Sequence, residues 1–142
     1  MLSPNRKEIK TALEILKPFI PSNQLKCTST LMWSEEGEFY QNKILELAGI
    51  VSSMPVTYGQ DGKGDEAICY LRYFGPNFEC YVTEKDMEDE QVQMMGYSAW
   101  NGNEPQLGYI HLPEIIRHPL CNIDYHYKPT TIGEILKKFE AA

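Results

Sequence analysis

Apolar residues in the first third of the chain recur at three- and four-residue intervals. Between Pro4 and Pro18 they are Ile9, Ala12, Leu13 and Leu16, with Ser3 placed as a cap, and this predicts an amphipathic helix that Pro18 and Pro21 end. A second helix is predicted from about Glu38 to Val51, where Tyr40, Ile44, Leu47, Ala48 and Val51 share one face. Between the two, Lys26 to Trp33 reads as a short strand or an irregular segment. Residues 52–65 (SSMPVTYGQDGKGD) have the Gly, Ser, Asp and Pro content of an exposed loop.

After that loop the period changes to two. Ala67 to Phe74 and Phe78 to Thr83 flank Gly75-Pro76-Asn77 and predict a hairpin, with the acidic stretch Glu84 to Glu90 as the next connection. Gln91 to Ala99 and Gln106 to Leu112 predict two more strands around the Trp100-Asn101-Gly102-Asn103 turn. Pro113 fits the first turn of a short helix through His118, and Asn122 to Tyr127 suggests a last strand. Thr131-x-x-Glu134 is a capping box that opens a closing helix with Ile132, Ile135, Leu136 and Phe139 as its apolar stripe. These elements predict an α+β fold: a mainly antiparallel sheet of four to five strands with helices at the N- and C-terminal ends. The 142 residues read as one domain, with residues 1–58 as its helical part and no interdomain linker.

Charge narrows the function classes. Lys and Arg number 13 and Asp and Glu 20, so the net charge is 13 − 20 = −7, which disfavours generic nucleic-acid or anionic-membrane binding and leaves a protein partner as the easier one. The N-terminal MLSPNRKEIK is charged where a secretory apolar region belongs, and no apolar run approaches the roughly 20 residues of a membrane span, so a cytoplasmic location is expected. Cys27, Cys69, Cys80 and Cys121 show no C-x-x-C spacing and read as buried reduced thiols, with no zinc site and no active cysteine.

No segment has the spacing of an established catalytic motif, and no cofactor is expected. Gly59-Gln-Asp-Gly-Lys-Gly-Asp65 lacks the Ser or Thr and the following helix of a phosphate loop, and it lacks the terminal Glu of a calcium loop. His111, Glu114 and His118, with Asp124 as a further candidate, are the residue types of a metal-dependent hydrolase, and Glu114 and His118 are four apart on one helix face. The acidic run Glu84, Asp86, Glu88, Asp89 and Glu90 reads first as a solvated loop, with a divalent-cation or acid–base site and a contact for a basic partner as its alternatives. Rings crowd the strand half: Tyr70, Tyr73, Phe74, Phe78, Tyr81, Tyr97, Trp100, Tyr109, Tyr125 and Tyr127. Adjacent strand residues face opposite sides, so both sheet faces carry rings, which serve either as cross-strand pairs or as a Tyr-rich recognition surface.

The pieces GKGDEAICYLRYFGP, YVTEKD, MMGY, EPQLGYIHLPEI and IDYHYKP before IGEIL, within residues 62–136, resemble the bacterial domain-of-unknown-function family 2958, whose members are typical of plasmids, conjugative elements and phages. The positions that match are Tyr81, Thr83, Glu84, Gly96, Tyr97, Glu104, Gly108, Tyr109, Leu112, Glu114, Asp124 and Pro129. The resemblance implies a mobile-element setting and carries no catalytic role. The expected function is therefore a non-enzymatic, acidic accessory protein that binds a macromolecular partner, one version being interference with a host defence system. Its candidate binding residues are Tyr81, Glu84, Asp86, Tyr97, Glu104, Tyr109, Glu114 and Asp124. Two alternatives stand beside it: the metal-dependent hydrolase, and a small-ligand or nucleotide-binding module with the sheet and the Gly59 to Asp65 loop as its pocket.

Overall fold

The computed structural model describes residues 6–140. Three helices come first: α1 (Arg6–Leu16), α2 (Ser22–Leu31) and α3 (Gly37–Ser53). The strands are β1 (Ile68–Cys69), β2 (Leu71–Gly75), β3 (Phe78–Glu84), β4 (Met94–Trp100), β5 (Gln106–Ile110), β6 (Asn122–Ile123) and β7 (Thr130–Thr131). Helix α4 (Leu112–Ile116) follows β5, and α5 (Ile132–Glu140) ends the described chain. The main sheet is antiparallel in the order β5-β4-β3-β2-β6, and β1 pairs separately with β7. The fold is α+β, with helices at both ends. No helix among the described residues is long and apolar enough to cross a membrane.

Strand alternation divides the sheet into two faces. Leu71, Tyr73, Cys80, Val82, Met94, Ile110 and Ile123 point to one face and bury against Ile9 and Leu16 of α1 and Ile44 and Val51 of α3. At roughly 25 cal/mol per Å2 of apolar surface removed from water, this layer is the main stabilising term of the fold. The opposite face is covered over part of its area by α5, whose Ile132 and Ile135 pack with Ala67, Cys69 and Tyr81. The capping box forms in part: the Glu134 N–H donates to Thr131 Oγ1 at 3.3 Å. Ser3 and Pro4, the expected start of the first helix, lie outside the described residues.

The segment expected as a short strand or an irregular one, Lys26 to Trp33, is helical as far as Leu31 and forms the second half of α2. Its Thr residues favour strands in isolation, but tertiary bonding overrides that propensity. Thr28 Oγ1 bonds back to the Gln24 carbonyl at 2.9 Å and shares a 2.9 Å bond with the Tyr125 hydroxyl. The Gln24 side chain accepts from the Ile123 N–H and donates to the Ile123 carbonyl, both at 2.8 Å, locking α2 to the edge strand β6. The expected last strand, Asn122 to Tyr127, is strand only at Asn122–Ile123. Beyond it the Asp124 N–H still donates to the Arg72 carbonyl of β2 at 2.8 Å, and the chain then turns, with the Tyr127 N–H bonded to the Asp124 carbonyl. Cys69, Cys80 and Cys121 are buried, but Cys27 is exposed on the outer side of α2.

Candidate functional site

The site begins at a register shift. Val82 pairs with Gly96 and Glu84 with Met95, so Thr83 and Glu84 together oppose Met95 in a β-bulge. A bulge re-aims the side chains around it. Here it directs both Thr83 and Glu84 into one cleft of about 330 Å3 on the sheet face that α5 leaves open. The cleft lies between that face and the loop after α3, and its walls include Tyr58, Gln60, Tyr97 and Leu107.

Gln60 holds the loop in place. Its side-chain amide accepts from the Ile68 N–H and donates to the Ile68 carbonyl, each at 2.7 Å, and also donates to the Thr83 carbonyl at 2.8 Å. Its backbone N–H donates to Glu84 Oε1 at 3.3 Å, and the Thr83 hydroxyl donates to Glu84 Oε2. Residues 52–65 are thus not wholly the exposed connection their composition suggests, since Gln60 is buried beneath the loop.

Glu84 and Asp86 correct the reading of the acidic run as a solvated loop: they are 4% and 7% exposed, while Glu88, Asp89 and Glu90 are exposed. The reason lies in the backbone they satisfy. Asp86 accepts from the Glu88 and Gln93 N–H groups, while the Gln91 amide pairs with the Asp86 N–H and carbonyl. Gln91 does this from a left-handed backbone at φ 56.

At the rim, Leu107 and Tyr109 of β5 are each 58% exposed and Tyr58 is 60% exposed. Leu107 and Tyr109 share the sheet face of Tyr81, because Tyr81 pairs with Tyr97, Tyr97 with Leu107 and Met95 with Tyr109. Tyr58 takes a left-handed φ of 72, a costly backbone for a bulky side chain, and its hydroxyl bonds that of Tyr109. Burial and then the charges of Cys69, Asp65 and Glu84 raise the Tyr97 hydroxyl above its ordinary range. The Cys69 thiol is pushed up to about 12, by burial and then by Glu84.

The other predicted residues sit elsewhere. Tyr81 and Asp124 belong to a cluster around Arg72, whose guanidinium contacts Glu79 at 2.5 Å and Asp124 at 2.9 Å and donates to the Tyr81 hydroxyl at 3.3 Å. Burial opposes the Arg72 charge, but bonds to Glu79 and Tyr81 outweigh it and raise the Arg72 pKa. Most of the expected Tyr-rich surface is likewise covered: Tyr73 donates to the Phe19 carbonyl in the core, and Tyr81 packs under α5. Glu104 is exposed in the β4–β5 connection and Glu114 on α4.

His111 and His118 are engaged locally. His111 Nδ1 accepts from the Glu114 N–H at 3.4 Å, and His118 Nδ1 accepts from the Leu120 N–H at 3.1 Å. Among the described residues, no group of three His, Cys, Asp or Glu side chains could hold a metal ion. His111, Glu114, His118 and Asp124 therefore do not assemble into the ligand set that a hydrolase would need. Gln60 and the bulge are the parts of the site that sequence reasoning missed. The left-handed Tyr58 before Gly59 leaves no periodic signal, and a buried glutamine reads as a loop residue. No family model, curated protein or solved structure matches the chain.

Proposed function

We propose that this chain is a non-enzymatic binding module that docks a protein partner on the outer face of β4 and β5. The observation that carries the reading is the free edge of β5. Among the described residues no strand pairs with its outer side, and Leu107 and Tyr109 project beside it with more than half their surface in water. Such an edge is a template for a partner strand, and flanking apolar side chains supply the contact area. The net charge of −7 supports a partner with a basic surface. The resemblance to family 2958 supports a mobile-element setting, and action against a host defence system is the version that rests on that setting.

The test is affinity capture from nuclease-treated bacterial lysate with the wild-type chain and with a Leu107→Glu/Tyr109→Glu double variant. A stoichiometric partner held by the first and lost by the second is the expected result. A partner retained undiminished by the double variant overturns the proposed surface.

A second reading, a small-ligand module, is favoured by the cleft between the 58–64 loop and the sheet. Its chemistry argues against nucleotides. Glu84 at the floor and Asp61 in the wall repel phosphate, so a ligand there is neutral or cationic. A thermal shift with neutral or cationic metabolites, absent with nucleotides, is the outcome it expects.

A further inference from the structure

Resting on the protein-docking reading, we propose that the Glu84 cleft receives a lysine side chain of the partner, its ammonium paired with the Glu84 carboxylate and its methylene stem lying along Tyr58, Tyr97 and Leu107.

Other carboxylates near the sheet are compensated from within the chain. Glu79 and Asp124 share Arg72, and Asp86 caps backbone N–H groups of its own loop. Glu84 is as buried as any of them, yet no Lys or Arg lies within ion-pair distance of it among the described residues. Its neighbour Lys85 points away and donates to the Val51 carbonyl. A carboxylate has about four acceptor positions, and Glu84 uses two of them, for the Gln60 N–H and the Thr83 hydroxyl. A buried charge satisfied only by neutral donors is poorly compensated, and a cation delivered from outside supplies the missing partner.

The walls select the shape of that cation. Tyr58, Met95, Tyr97 and Leu107 surround the approach with apolar and ring surface, which suits a long aliphatic stem carrying a charge at its tip. A guanidinium fork engages both carboxylate oxygens at once, and each oxygen here already holds a donor. An ammonium is a compact point charge with rotatable donors and uses the positions that remain. The raised Tyr97 hydroxyl and Cys69 thiol agree with a negative field in the cleft, since Glu84 contributes to both. A partner segment that crosses the outer face of β5 and β4, rather than the strand at the β5 edge itself, passes over the cleft on β3 and β4, and a lysine on that segment meets Glu84.

The experiment is an NMR titration of the full chain with acetyl-lysine-methylamide, against acetyl-norleucine-methylamide as the uncharged counterpart. Saturable shifts at Gln60, Glu84 and Tyr97 with the lysine probe only are expected, weakened about tenfold in Glu84→Gln. Tyr58→Gly, which removes a wall while suiting the left-handed backbone, is expected to fold and to bind the lysine probe several-fold more weakly. Equal response to both probes, no saturable response, or undiminished lysine binding by Glu84→Gln overturns the proposal. Capture separates this failure from that of the docking surface. A partner kept by Glu84→Gln but lost by Leu107→Glu/Tyr109→Glu removes the lysine pocket and leaves the surface standing; a partner kept by both removes the surface.

Discussion

Gln60 and Ile68 are joined as two residues of a β-ladder are, except that one of the two partners is a side chain. The Gln60 amide exchanges both hydrogen bonds with the Ile68 backbone at 2.7 Å, and a further bond to the Thr83 carbonyl ties the loop to β3 at the bulge. Gln24 on α2 with Ile123 of β6, and Gln91 with Asp86 in the loop after β3, repeat the arrangement. Each glutamine satisfies a backbone pair that no strand reaches, which buried peptide groups require.

Gln60→Ala removes these partners at once. It leaves the Ile68 N–H and two carbonyls without partners in a largely buried place, and a loss of about 2–4 kcal/mol in unfolding free energy is expected. Urea denaturation measures it. A change within about 0.5 kcal/mol, the range of a surface substitution, would show that the loop is not held by this clamp.

Gly96 and Gly108 face each other across β4 and β5 and should respond differently to alanine. A Cβ at Gly96 would lie 2.2 Å from the Tyr81 carbonyl oxygen and 2.9 Å from Val82 Cα, whereas one at Gly108 meets nothing within 4 Å. Gly96→Ala is expected to cost about 2–4 kcal/mol through forced backbone movement, and Gly108→Ala to change stability by less than about 1 kcal/mol. Paired thermal melts decide this, and equal shifts would contradict the predicted crowding at Gly96.

The four thiols should divide one to three. Cys27 is exposed, while burial raises the pKa of Cys69, Cys80 and Cys121, for Cys69 and Cys121 to about 12. A disulfide reagent added at about pH 8 is expected to modify one thiol quickly and the other three only after unfolding, because the thiolate is the reactive form. Two or more fast thiols would contradict the burial described.

The same shifts set an alkaline limit to stability. Unfolded Cys69 and Cys121 release protons near 9.0, but the folded chain holds them to about 12. The native state therefore binds more protons in that window. Stability from these groups is complete below about pH 9 and is lost as the pH rises toward about 12. Tyr73, Tyr125 and Tyr127, each raised by burial, add in the same direction. Urea midpoints that fall steadily from about pH 9 upward are expected, and midpoints that hold or rise there would contradict the sign.

Charge reversal at Glu84, Asp86 and Glu88 is a poor probe of partner binding despite its appeal from sequence. Two of the three are buried, so a Lys triple variant is expected to lose cooperative unfolding before any interface is tested. Glu88→Lys alone, at an exposed position, should leave the melting temperature within a few degrees of wild type. A cooperative, near-wild-type melt of the triple variant would contradict the burial of Glu84 and Asp86.

The elements that the sequence determined by itself are those whose burial follows a local period. Ile9, Ala12 and Leu16 mark α1, Ile44, Leu47, Ala48 and Val51 mark α3, and Ile132 with Ile135 marks α5, because a helix repeats its buried face every three to four residues. Alternating burial likewise marks β2, β4 and the start of β3, and Pro76-Asn77 marks the hairpin turn, whereas β5 is exposed at Gln106, Leu107 and Tyr109 and follows no burial period. Tertiary structure decided the rest, because the deciding bonds join residues far apart in the chain. Helix α2 depends on Gln24 meeting Ile123 and on Thr28 meeting Tyr125, and nothing in Lys26 to Trp33 records either contact. Which tyrosines face water depends on where α5 lies across the sheet. Glu84 enters the cleft because one extra residue in β3 shifts its register against Met95, where an acidic sequence alone reads as solvent-facing. Charge and periodicity are properties of neighbours along the chain, whereas a buried carboxylate beside Gln60 and Tyr97 is a property of three segments brought together by folding.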